Sequence, residues 1–592
     1  METGYWTKVL TRRKLSRRRL LGSSSGVAAA GLALSLVGCG GDGDETEDAS
    51  GLLGKIEDTS AKAVPGGTHL DYFATDIQNL DPLLARQRPD FAPMPYVYSL
   101  LLKAGISTTK KPGAADVTGD AAESFELTPD GLTLTLKLRA NHKFDPRPPA
   151  NGRAMDSADV SWSWNKFITL ALYGRELSIT SDPGAPIQSL ETPDARTLVF
   201  KMAYPHADIL QLLAAPYLFI EPRDDNFDFR TTMRGSGPYF LEEYVGSGRI
   251  VFKKNPDWYD KPRPYFDIVQ QPLLSEYSSG LAQFAGKNVW SYDVRPTDIL
   301  ATKRANPDML LLPGREPSPS GTGFWNFSKQ PDSVWKDVRL RRALSMVTDR
   351  ELLLETFFNT TEFKDAGLPV QTYWNSHIGA GCPEWVDPKG TGLGEGAKYF
   401  KYDIAEAKKL VEAAGMKAPV ASIFHTEVGF DPERLKRDEA LAGHMNESDV
   451  FQFDVDVLDY NTSWRRARES AGAGFPGILT HFQSGDTTDI IINRTYTPTG
   501  TNSVSSQPIP GVTDLVFEQR REFDQQKRLG LIQEMQKRLA LEWPCLYFPG
   551  DVPAFTLRWP WLRNEGVFLT GSATARSFTY EWYDKELHEK LS

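Results

Sequence analysis

Cysteine is nearly absent from this chain. Its 592 residues hold three, at positions 39, 382 and 545, so no disulfide framework supports the fold. One bridge between Cys382 and Cys545 is the most that is available. Two unpaired thiols is the simpler reading, because nothing in the sequence brings the pair within the ~4.4–6.8 Å Cα separation a bridge needs. Histidine is also sparse. The eight residues at 69, 142, 206, 377, 425, 444, 481 and 588 show no zinc-ligand spacing. Beyond the amino-terminal residues 1–39, GxSxG, HExxH and CxxC are all missing, so no nucleophilic, metallohydrolase or redox site is announced. No metal or cofactor site is announced either; missing motifs do not exclude an enzyme, because carboxylates distant in sequence leave no local pattern, and the expectation of a non-enzyme comes from the resemblance given below.

Positive charge is short as well. The formal net charge is −10, and seven of the 67 Lys/Arg but only one of the 77 Asp/Glu fall within residues 1–39, which leaves −16 beyond them. So acidic a body argues against nucleic acid as a partner. Hydrophobic content of 40% and charged content of 24% are ordinary for a globular protein. The length suffices for two or more cored domains.

The one long apolar run lies at the amino terminus. Ser16-Arg17-Arg18-Arg19-Leu20-Leu21 follows the twin-arginine export pattern, with Arg17 and Arg18 as its signature pair; the general secretory route is the alternative. GSSSGVAAAGLALSLVG follows, and Leu36-Val37-Gly38-Cys39 matches a lipobox. The run approaches the ~20 residues a membrane helix needs, but its Ser and Gly content makes a cleaved signal the better account. Acylation at Cys39 would anchor the protein without spanning the membrane. Residues 40–67, rich in Gly, Asp, Glu and Ser, are expected to be a flexible tether.

Periodicity organises the body. Leu132 to Leu138 alternates apolar and polar, as a half-buried strand does, after an Asp130-Gly131 turn. Asp156 is placed to cap a helix. A capped helix starting near Asp403 ends at Gly415, and GTGLGEG at 390–396 reads as a flexible loop. A helix is expected over 431–445, with strands over 419–425 and 451–458. The most informative stretch is 321–360: GFWNFSKQ reads as an aromatic strand, PDSVWKD as a turn, and VRLRRALSMVTDRELLLETFF as helix.

Phe324-Trp325-Asn326, Asp337-Val338-Arg339-Leu340-Arg341-Arg342-Ala343-Leu344 and Asp349-Arg350 together resemble the family 5 extracellular solute-binding proteins, the peptide- and nickel-binding components of ABC importers. Matching segments recur in family order. They include Asn79-Leu80-Asp81-Pro82, Ala121-Ala122-Glu123-Ser124-Phe125, Arg139 to Phe144, Gly235-Ser236-Gly237-Pro238-Tyr239, Asn255-Pro256-Asp257-Trp258-Tyr259 and Tyr402 to Gly415. Pro146-Arg147-Pro148-Pro149 departs from the pattern.

The resemblance implies a large α/β fold of the two-lobed periplasmic-binding-protein type II class with an extra subdomain. Lobe I would comprise 68–95, 223–316 and 541–592, its subdomain 96–222, and lobe II 317–540. A solute would be gripped between lobes and delivered to a membrane permease, by a protein expected to be monomeric. Phe324, Trp325 and Phe482 would supply stacking walls, and Asn326 a hydrogen bond to polar backbone. Asp486 and Asp489 would match the family's paired aspartates, the first of which meets the ammonium of a peptide. Asp486 also reads as a turn residue after Gly485. The altered 482–489 segment leaves other cargo open, such as an oligosaccharide, a nickel complex or an opine-like metabolite. A secreted hydrolase is the alternative from another class.

Overall fold

The computed structural model describes residues 48–592 apart from 86–87, 111–116, 225–226, 320–322, 430–431, 483–484, 486 and 570–574. Arg17, Arg18, Cys39 and Asp486 therefore lie outside the described residues. Among the described residues no helix is long and apolar enough to cross a membrane.

The aromatic strand Phe324–Phe327 lies within a five-stranded sheet. The order is Phe451–Asp459, Val420–Val428, Ile478–His481, Phe324–Phe327, Cys545–Tyr547. Val420–Val428 is parallel to both of its neighbours, whereas Phe324–Phe327 is antiparallel to both of its own. Parallel neighbours need a crossover, and the helix Pro432–Asn446 joins the first parallel pair. All four residues of Phe324–Phe327 are buried, because both sheet faces are covered. Successive side chains point to opposite faces. Trp325 and Phe327 join a core formed with Val338–Met346, Ile404–Ala413 and Pro432–Asn446. Phe324 joins another, with Thr488–Tyr496, Thr513–Arg521 and Gln525–Glu542.

The second body has two sheets. Thr68–Leu70 pairs in parallel with Ile268–Pro272, which continues antiparallel through Arg249–Lys254 to Tyr239–Val245. Thr556–Arg558 lies between Ser291–Tyr292 and Leu310–Leu312. A separate antiparallel sheet, Ala122–Leu127, Thr133–Leu138, Thr197–Met202 and Ile187–Asp194, carries its own apolar core. Thr133–Leu138 buries alternate residues as its pattern predicts. The preceding turn closes through the Gly131 N–H donating to the Thr128 carbonyl, with Gly131 at φ +69°. Asp156 caps Ser157–Leu170 by accepting from the amides of Ala158 and Asp159. Asp403 likewise caps Ile404–Ala413.

Three sequence expectations differ from the structure. Residues 48–67 are not a free tether. Leu53 bridges Leu311, Leu52 and Leu53 pack on the core behind it, and Thr59 donates to Asn564 from both its amide and its hydroxyl. Two leucines and an asparagine hub are enough to hold a stretch whose composition reads as solvated. Residues 541–547, expected in lobe I, instead end the helix Gln525–Glu542 and form the outer strand of the central sheet. Leu546 packs on one face there and Tyr547 on the other. The glycine-rich stretch 390–396 leads into a 3₁₀ helix, Gly394–Phe400. Gly396 lies so close to Ala540 that a Cβ would sit 2.5 Å from the Ala540 methyl. Cys382 and Cys545 are both free and buried.

Candidate functional site

At the rim of the central sheet a pocket encloses about 210 Å³ of non-atom space, part of it open to solvent. Gly323, Phe324, Trp325, Thr480 and Phe548 line it, together with Arg434, Arg437 and Asp438 from Pro432–Asn446. Trp325 stacks on Phe548 with centroids 5.9 Å apart, and its indole N–H donates to Asp438 Oδ1 at 3.0 Å. Thr426 donates to the other carboxylate oxygen at 2.5 Å. Burial pushes the Asp438 carboxyl above its ordinary range. Four residues earlier, Arg434 donates to Thr480 Oγ1 at 3.1 Å, lies 3.3 Å from the buried carboxylate of Glu427, and covers the Phe482 ring at 3.8 Å. A helix brings residues four apart onto one face, so this element presents a cation and a carboxyl side by side.

Two of the residues expected at a ligand line this pocket, Phe324 and Trp325. Phe324 stacks on His481 at 4.6 Å. Asn326 is buried, does not line the pocket, and its Oδ1 has no hydrogen-bond partner among the described residues. Phe482 packs edge-on against Trp464 at 5.1 Å. Asp489 is not free to meet a solute. Its carboxylate accepts from Arg520 at 2.9 and 3.0 Å and from Gln519 at 2.5 Å, in a fully buried setting. Burial opposes its ionisation, but the Arg520 guanidinium prevails and holds it well below the carboxylate range. His206 lies 3.7 Å away, and burial depresses it to about 3.

Comparison with known proteins decides the class. A model of the bacterial extracellular solute-binding proteins, family 5 Middle, matches residues 116–490. The chain belongs to this family. Di/tripeptide-binding protein 2 of Pseudomonas aeruginosa is 22% identical over 463 residues, covering 74% of this chain and 81% of that protein. Among solved structures, the periplasmic binding protein DppA from Helicobacter pylori in complex with the peptide STSA superposes with a TM-score of 0.71 at 17% identity, over 88% of this chain and 99% of that one. AgaA from A. tumefaciens R10, in complex with agropinic acid, gives 0.68 at 19% identity, over 87% and 98%. The fold of this family 5 protein is accordingly the two-lobed type II α/β class.

Sequence reasoning missed a second feature of this family 5 protein. Helix Thr488–Tyr496 does not belong to one body alone, since Ile490 inserts into the core of the antiparallel sheet of 122–202. Beside it Arg494, fully buried, forks onto Glu176 at 2.7 and 2.8 Å, donates to the Tyr217 hydroxyl at 3.0 Å, and lies against the rings of Tyr173 and Tyr217. Arg528 forks onto Asp208, and the Ala207 amide donates to the Arg520 carbonyl at 2.7 Å. Ionic contacts thus bind segment 173–217 to helices between 488 and 542. The arginines were visible in the sequence, but their partners lie some 318 residues away.

Proposed function

We propose that this chain is the extracytoplasmic solute-binding subunit of an ABC importer, tethered through Cys39 after export directed by Arg17 and Arg18. It closes its two lobes on a peptide-like solute and presents the closed form to a permease. The observation that carries this reading is the pocket beside Phe324–Phe327. There Arg434 and the Asp438 carboxyl stand next to the Trp325 and Phe548 rings, a few polar groups on an apolar wall of the kind that lines small-molecule sites. Related proteins that bind peptides support it. Asp486 is assigned the ammonium-pairing role because a desolvated ammonium needs a carboxylate. Phe482 supplies a wall whose outer face Arg434 already covers. Binding energy that is realised only when both lobes touch the solute shifts the population toward closure.

Native mass spectrometry of the exported chain from residue 40 onward tests the reading. A co-purified peptide mass that is lost on denaturation supports it. A protein that carries no solute and binds no peptide from a di- to pentapeptide mixture refutes it. Asp486→Ala should weaken a peptide with a free amino terminus and spare its acetylated form; equal weakening of both would sink the ammonium role. A second reading, a carboxylated non-peptide solute, is favoured by Arg434 over the Phe482 ring and by the likeness to AgaA.

A further inference from the structure

The segment that leads from the amino terminus into the body is fastened to it at three places. At the first, the Ala49 amide donates to the Gly367 carbonyl at 3.0 Å, and Gly367, at φ +81°, comes so near that a Cβ would sit 3.1 Å from the Ser50 nitrogen. At the second, Leu53 bridges Leu311 in parallel and the Gly54 amide donates to the Leu311 carbonyl at 2.8 Å. Leu52 and Leu53 pack there on the core that holds Phe363, Leu368 and Phe555. The third is Asn564. Its side-chain oxygen accepts from the amide and the hydroxyl of Thr59, and its side-chain nitrogen donates to Ser60 Oγ and to the Tyr580 carbonyl, both at 3.0 Å. The Trp582 indole N–H adds a bond to Thr59 Oγ1 at 3.0 Å. A buried amide used at both ends specifies one arrangement.

Fastening changes how far the body can turn on its anchor. Nine residue steps separate Cys39 from Asp48, against twenty-nine from Cys39 to Thr68, where the first strand of the body begins. Fully extended, the shorter path spans about 31 Å and the longer about 100 Å. A compact body of roughly 545 residues has a radius near ~31 Å, so half its circumference is about 98 Å. The longer path would just let the face opposite the attachment point meet the membrane. The shorter one lets the body roll only about 60° from that point.

We infer that residues 48–62 are an orienting strap, which turns the face carrying Ala49 and Gly367 toward the lipid leaflet that holds Cys39. The inference rests on the Cys39 anchor proposed above and adds a defined membrane-facing surface to it. Exposed charges on the strap are of both signs, Lys55 and Lys62 against Glu57 and Asp58. Chain length, and not attraction to headgroups, therefore sets the orientation.

Energy transfer from the acylated full chain to an acceptor in the headgroups of phosphatidylglycerol–phosphatidylethanolamine vesicles tests this. One donor is carried by Lys364→Cys, beside Gly367; the other by Asp454→Cys. Both positions are exposed, and Cys382 and Cys545 are buried. Phe363, next to Lys364, meets Phe555 at 4.8 Å just beyond Cys545–Tyr547, whereas Asp454 lies on the strand at the other edge of that sheet. Transfer from position 364 should exceed that from 454 at least ~2-fold. Inserting about twenty Gly/Ser residues between 47 and 48 leaves the strap docked and should bring the ratio to about 1, because the added chain restores the reach around the body. The Gly54 amide should exchange at least ~100-fold more slowly than in unstructured chain. Equal transfer from both donors overturns the inference, as does a ratio that survives the insertion, a ratio that collapses in high salt, or an unprotected Gly54. A chain that does not float with the vesicles sinks the anchor and the inference with it; one that floats with equal transfer sinks the orientation alone.

Discussion

Removing Glu176 should unfasten one junction rather than weaken the whole molecule evenly. The pair it forms with Arg494 is bidentate and almost wholly out of water: Arg494 is 0% and Glu176 6% exposed. Taking one partner from such a pair strands the other as an uncompensated buried charge, at about 3–5 kcal/mol. Replacing both with apolar groups of similar size costs little, or stabilises by about 1–4 kcal/mol. A bulk melt would blur this, because a protein of several bodies does not unfold in one step. Hydrogen exchange reads it locally. The Ala207 amide donates across the same junction to Arg520, so its protection reports the local opening equilibrium. At ~1.4 kcal/mol per decade, Glu176→Ala should speed exchange at Ala207 by roughly two to three and a half orders of magnitude. Protection in the Glu176→Leu, Arg494→Met double variant should return to within about tenfold of wild type, the non-additivity expected of residues in contact. Exchange in Glu176→Ala within tenfold of wild type, or a double variant as fast as the single one, would refute the claim that this buried pair is what fastens the junction.

Two further outcomes follow from burial. Asp551 accepts from the amides of Ser318 and Val552 at 2.7 and 2.8 Å, yet burial pushes its carboxyl up to about 6. Against an unfolded value of ~3.9, the folded state holds the proton more tightly, so stability from this group is full below pH ~4 and falls as pH rises to about 6. The loss is about 3 kcal/mol, and Asp551→Asn should flatten that part of the pH–stability curve; an unaltered slope would show that Asp551 does not cause it. The Cys382 and Cys545 thiols are pushed up to about 12 by burial, and thiolates are the reactive species. Native protein should therefore leave Cys382 and Cys545 unmodified by iodoacetamide at pH 8 and give two alkylated residues after denaturation; rapid native alkylation at either would contradict their placement.

Local signals carried much of the fold. Alternation marked Thr133–Leu138, and Asp156 and Asp403 announced the helices they cap, because such features depend on residues only a few positions apart. The site was legible in part. Phe324 and Trp325 stood out as an aromatic pair on a short strand, and both line the pocket. Arg434 and Asp438 fell within a predicted helix at a spacing of four, a pattern that equally describes an ordinary solvated face. What removed them from that class was contact with Trp325, Thr480 and Glu427, which only the sheet order provides. Asp489 shows the converse failure. A short resemblance suggested a free carboxylate, but Arg520 and Gln519, thirty residues on, take it up.

The position of Thr556–Arg558 between Ser291–Tyr292 and Leu310–Leu312 imposes an order on biosynthesis. The central sheet is complete once residue 547 has been made. The three-stranded sheet has its two flanking strands by residue 312 and then waits more than 240 residues for the one that joins them. Throughout that interval Ser291–Tyr292 and Leu310–Leu312 present open edges, the kind of surface that recruits a strand from another chain. A nascent chain thus carries an unfilled slot until residues 556–558 emerge, and premature termination between 548 and 555 would leave a finished central sheet attached to a second body whose open edges are adhesive.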